Sequence, residues 1–208
     1  MVKEKNLIYL VILMIMVILP CRARASSEGE PGGRRLPVCD LSVSFDLKEH
    51  LLKGSAVITV PSSAGVVVSP GDLRLMSVRL NGRPLEGRHG GEGFKLSGGD
   101  KIEIEYEGVF RGGSQNSLEN AGVVTGGLVD EKGISLTGNW YPSISGLAYY
   151  RLQALVPKNF AAVSEADEIT VTEKPSGREF TFRFPHPLGG IDLVAANYQV
   201  SRQTVEGI

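Results

Sequence analysis

The segment Lys101-Ile102-Glu103-Ile104-Glu105-Tyr106-Glu107 puts an apolar side chain on every second position with acids between. In an extended chain, successive side chains point to opposite faces, so this pattern makes a strand with one packed face and one wet face. The same rhythm recurs from Leu36 onward. Val43 and Phe45 alternate with Ser42, Ser44 and Asp46, and Lys53-Gly54 is expected to turn the chain into Ala56-Val57-Ile58-Thr59-Val60. Leu73, Leu75, Val78 and Leu80 end at Asn81-Gly82, the strongest short signal for a hairpin turn. A second hairpin runs from Ile169-Thr170-Val171-Thr172 through Lys174-Pro175-Ser176-Gly177 into Phe180-Thr181-Phe182-Arg183-Phe184. Tyr149 to Val156 and Ile191 to Val200 are also strand-like.

Outside the N-terminus no segment has helical periodicity. Many short strands joined by Gly, Pro and Asn turns predict an all-β protein, an antiparallel β-sandwich. Two regions interrupt the rhythm. Gly108 to Gly127 is rich in Gly, Ser and Asn and is expected to be a long surface loop. Gly133 to Tyr150, which contains the single tryptophan, is expected to be irregular chain between strands.

The N-terminus has a different character. Lys3 and Lys5 precede an apolar run from Leu7 to Leu19, and Ala23-Arg24-Ala25 offers small residues at a signal-peptidase spacing. The run is short for a membrane span of about 20 residues. Residues 1–25 therefore form a hydrophobic signal helix, residues 26–35 a flexible linker, and residues 36–208 the β-sandwich domain. Export to the periplasm or the extracellular space follows. An uncleaved membrane anchor and a lipoprotein signal at Cys21 are the rival readings, the latter disfavoured by Pro20.

Without residues 1–25, which carry Lys3, Lys5, Arg22 and Arg24 but only Glu4 among the acids, 22 basic side chains fall to 18 and 23 acidic ones to 22. A mildly acidic body lacks the basic footprint of a nucleic-acid binder. Only Cys39 remains, so no internal disulfide holds the domain; it is expected to be a half-buried strand residue rather than a reactive thiol.

Catalytic motifs are missing. A zinc site needs His, Glu or Cys ligands that converge, and His50, His89 and His186 stand apart in loop-like sequence, where solvated side chains are expected. No His-Glu-x-x-His occurs. Ser143 and Ser145 lie near Gly146 without a Gly-x-Ser-x-Gly elbow, and Gly112-Gly113 and Gly126-Gly127 lack the setting of a phosphate loop. Glu103, Glu105 and Glu107 share a strand face that is expected to be solvated. No catalytic, cofactor-binding or metal-binding residue is assigned.

Gly138-Asn139-Trp140-Tyr141-Pro142, followed by Tyr150-Arg151-Leu152-Gln153-Ala154-Leu155-Val156-Pro157, resembles the W-x-P element and Val-Pro strand of M1-family zinc aminopeptidase N-terminal domains. Phe160-Ala161-Ala162-Val163-Ser164 is similar to the family's next segment. Leu41 to Asp46, Leu52 to Ala56, Ile102 to Gly108, Arg178 to Phe182 and Leu193 to Tyr198 resemble its other strands in order, although the family's glycine near Asn197 is missing. The match spans about residues 38 to 200.

The resemblance implies a saddle-like β-sandwich that packs on a thermolysin-like catalytic domain, shapes the peptide-binding cleft and has no catalytic residues of its own. Zinc is implied only for that catalytic domain, whose ligand motif and Gly-x-Met-Glu-Asn element do not occur here. No equivalent of the family's residue for the substrate's amino terminus is assigned. The sequence ends at Gly207-Ile208, near where the family's chain leads onward, so a fragment of a larger exported peptidase is expected. The alternative is a free-standing periplasmic or cell-surface binding module. Trp140, Tyr141 and Pro142 are the candidate interdomain contact; the competing reading makes Trp140 a plug at one end of the core.

Overall fold

The computed structural model describes residues 36–85, 93–112 and 127–199, and it contains no helix among them. These residues fall within one unit, Arg34–Ile208. The signal, the linker and His89 lie outside them, as does most of the expected loop between Gly108 and Gly127.

The largest sheet has eight strands. At its middle are β1 (Val38–Asp46), β2 (Leu51–Thr59) and β7 (Lys101–Val109), paired antiparallel in that order. Beyond β7 come β4 (Arg74–Leu80) and β5 (Arg83–Pro84); beyond β1 come β11 (Tyr149–Val156), β14 (Gly177–Arg183) and β13 (Glu168–Lys174). Only β1 and β11 run parallel in this sheet. A three-stranded sheet joins β10 (Ser143–Ile144), β3 (Val66–Ser69) and β6 (Phe94–Leu96). A four-stranded sheet joins β12 (Ala161–Val163), β15 (Leu193–Ala196), β9 (Gly133–Leu136) and β8 (Leu128–Val129).

Alternation decides which face of the large sheet is packed. Leu41, Ala56, Ile104 and Leu152 stand in register on neighbouring strands and are buried, and the buried residues of all three sheets join one hydrophobic core. The eight strands thus form one layer and the two small sheets cover it, the arrangement of a sandwich.

Asn81-Gly82 makes the expected two-residue hairpin between β4 and β5. Both residues have positive φ, 52° and 77°, the geometry whose twist matches flanking strands and which Asn and Gly tolerate. Pro175-Ser176 likewise joins β13 to β14, with Lys174 opposite Gly177.

The expected turn at Lys53-Gly54 is not there; both residues lie inside β2. The chain turns at Leu47–His50, where Asp46 Oδ1 accepts hydrogen bonds from the amides of Lys48 and Glu49 and His50 has φ 56°. Gly54 has a different task. It stands directly across from Tyr106, and a Cβ built there would come within 2.6 Å of Tyr106 Oη. The tyrosine ring lies over the bare glycine backbone, and no side chain fits between them.

Gly133 to Tyr150 is not irregular chain throughout, as expected, but partly strand. It contains β9, β10 and the start of β11, with Ile134 and Leu136 buried in alternation. Gly108 and Val109 end β7 rather than begin a loop, and the strand expected over Ile191 to Val200 is confined to β15. Cys39 is fully buried, not half-buried.

Candidate functional site

Trp140, Tyr141 and Pro142 are all buried, and Trp140 has no exposed surface. Asn139, at φ 49°, bends the chain so that the next side chain turns inward. Trp140 Nε1–H donates to the carbonyl of Ile191 at 3.1 Å, while the Ile191 amide donates to Tyr141 Oη at 2.9 Å. Two aromatic side chains thus satisfy both backbone groups of one buried residue, which would otherwise each cost about 1–3 kcal/mol. The rings meet edge to face, with centroids 4.6 Å apart for Trp140–Tyr141 and 5.9 Å for Tyr141–Tyr150. Trp140 is a plug that clamps the Ile191 segment to the core. The exposed part of this stretch is Thr137, Gly138 and Asn139.

The groups around the clamp are unsuited to acid–base or nucleophilic work near neutral pH. Burial pushes the Tyr141 hydroxyl up to about 12, partly countered by the hydrogen bond from Ile191. Burial raises Tyr106 and Tyr150 further above the usual phenol range. It also raises the Cys39 thiol, with Asp40 adding to the effect, so this sulfur stays protonated and inert.

The remaining candidates are occupied structurally. His50 is not solvated: it is half-buried, its Nδ1 sits 2.7 Å from the carbonyl of Val129, and its own carbonyl accepts from the Phe110 amide. His186 is largely exposed and lies 3.8 Å from Asp167. Ser145 Oγ accepts from the Val67 amide at 2.9 Å, and Ser143 Oγ donates weakly to the carbonyl of Ser69. The three glutamates of β7 each have a partner. Glu103 meets Lys101, whose hydrogen bond holds its carboxyl below the usual range; Glu105 meets Ser77 and Glu107 meets Arg74. Among the described residues no three His, Cys, Asp or Glu side chains gather where they could hold a metal ion.

One feature has no signal along the chain. A cleft of about 220 Å³ opens beside the outer face of the large sheet, lined by Val38, Asp40, Tyr149, Arg151, Glu168 and Arg183 with Phe184 and Pro185. Its charged residues are scattered between positions 40 and 183, and only strand register brings them together.

The architecture occurs in solved peptidase structures. An M1 zinc metallopeptidase from Deinococcus radiodurans, in a mutant bound to a Tyr-Ser-Ala substrate, matches with a TM-score of 0.58 and 18% identity. The match covers 79% of this chain and 43% of that one. The same enzyme in another crystal structure gives 0.57 at 18% identity and the same coverage. A two-domain M1 zinc metallopeptidase mutant bound to L-tryptophan gives 0.56, again at 18% identity with 79% and 43% covered. The chain spans less than half the length of the structures it matches. No protein-family model matches the sequence, and no curated protein matches it. The likeness to M1 metallopeptidases is therefore one of fold.

Proposed function

We propose that this chain supplies the N-terminal β domain of an exported M1-type zinc aminopeptidase, flanking the peptide cleft without catalytic residues of its own. The observation that carries the reading is the asymmetric match: 79% of this chain superposes on only 43% of an M1 zinc metallopeptidase. That leaves more than half of the peptidase for other work. In this reading zinc and peptide bond cleavage belong to a thermolysin-like partner domain. The β domain acts by packing beside the cleft and limiting which chain ends enter, which is steric selection rather than bond making. Its contact with the partner along the tryptophan segment falls on the exposed turn Thr137-Gly138-Asn139, which Trp140, Tyr141 and Pro142 hold rigidly from below. Export rests on the signal-like residues 1–25.

The test is to follow the natural product in its source cell with an antibody raised against this chain. The reading expects a polypeptide much larger than 22.3 kDa, outside the cytoplasm, that binds zinc and releases N-terminal residues from peptides. A product of this chain's own mass, with no zinc-peptidase activity co-purifying, overturns it and favours a free-standing binding module. A product beginning at Met1 in the cytoplasm overturns the export.

A further inference from the structure

We infer that Arg151 and Arg183 form a carboxylate-binding pair for a small, amino-acid-sized ligand with one free carboxylate. Strand register builds the pair. Asp40 of β1 stands across from Arg151 of β11, Arg151 across from Arg183 of β14, and Arg183 across from Glu168 of β13. Directly opposed residues on neighbouring strands have Cβ atoms about 5 Å apart, and like charges so placed repel. The row runs acid, base, base, acid, so the two guanidinium groups share its middle.

The acids do not use up these donors. Arg151 Nη1 lies 3.6 Å from Asp40 Oδ1, longer than the roughly 2.8 Å of a charge-assisted hydrogen bond. That carboxylate oxygen is shielded from water and has no hydrogen bond. Among the described residues the Arg183 guanidinium makes neither an ion pair nor a hydrogen bond. Arg74 on the same outer face is different, since it reaches Glu107 at 2.9 Å. Two adjacent guanidiniums with spare N–H groups in a fixed plane match the two oxygens of a carboxylate.

The cleft sets size and charge. Its volume of about 220 Å³ is below the roughly 300–1,000 Å³ of drug-sized sites, which admits one residue-sized group. Its open surface is mostly polar, with Val38, Tyr149 and Pro185 completing the wall around the charged row. Asp40 and Glu168 flank the two arginines, so a dianion meets about twice the repulsion from these acids that a monoanion does.

The test is titration of the full chain, labelled at arginine Nε, with N-acetyl-L-alanine, its carboxamide, and inorganic phosphate. Saturable shifts of the Arg151 and Arg183 signals are expected with the acid. About tenfold weaker binding is expected for the carboxamide and for the R183Q variant, the loss that one charge-assisted hydrogen bond gives. Arg183 is exposed, so R183Q is expected to keep the wild-type circular dichroism and melting curve. No saturable shift with the acid, equal binding of acid and carboxamide, or unchanged binding by folded R183Q overturns the inference. Phosphate binding as tightly as the acid also overturns it, since that describes an unselective anion site.

Discussion

Strands β7 and β13 have nearly the same pattern and opposite fates. In β7 the inward residues Ile102, Ile104 and Tyr106 are 0%, 1% and 2% exposed. In β13 Ile169 and Val171 stand in register with buried Phe182 and Phe180, on the same face of the sheet, yet are 47% and 42% exposed. The difference is position. Neighbours flank β7 on both sides, whereas β13 is the last strand of the row. Two small sheets of three and four strands do not cover eight, so the alternation continues past the edge of the cover. A periodic strand is thus evidence for a face and not for a core.

The comparison is broken most severely by Ile104→Ala, which leaves a cavity where β7 meets the covering sheets. A loss of about 3 kcal/mol is expected from the urea midpoint, within the range for such truncations. Gly54→Ala is expected to cost about 2 kcal/mol, because its Cβ meets the Tyr106 ring and the ring has no room to retreat. The double variant Gly54→Ala/Tyr106→Leu is then expected to recover part of that loss.

A third test titrates the core. Cys39, Tyr106, Tyr141 and Tyr150 all have acid constants raised by burial. Below their ordinary values of 9.0 for the thiol and 10.0 for phenols, folded and unfolded chains hold the same protons, and these groups leave stability independent of pH. Above that range the unfolded chain releases protons that the folded chain keeps, so stability falls as pH rises toward the Tyr141 value of about 12. Urea melts between pH 8 and 12 are expected to be flat at first and then to decline. The Cys39 thiol is expected to react with a disulfide reagent only as fast as the protein unfolds.

The smallest effect belongs to β13. Ile169→Thr is expected to change stability by less than about 0.5 kcal/mol, since its side chain is already half in water and threonine keeps the strand preference. A loss comparable with Ile104→Ala would show that the exposed edge is covered in solution.

How much was legible can be judged residue by residue. Asn81-Gly82 announced its hairpin because few residue pairs accept two positive φ values in succession. Ile102, Ile104 and Tyr106 announced their face by spacing alone. Gly54 misled, because glycine marks both a turn and a close approach, and the Tyr106 ring that explains it is 52 positions away along the chain. Ile134 and Leu136 carry no legible period, because β9 is only four residues long. His50 looked solvated because its partner, Val129, is 79 positions distant. Of the tryptophan segment, the sequence showed the element but not its direction: the inward turn depends on Ile191 offering both a carbonyl and an amide.

From local order alone came the all-β class, the two tight hairpins and the packed face of β7, because side-chain alternation and turn chemistry act between near neighbours. The tertiary structure decided which of those faces are covered, where Trp140 points, and that Asp40, Arg151, Arg183 and Glu168 share one row. Each of these depends on register between strands far apart in the chain, and one residue of slip would send every side chain to the opposite face.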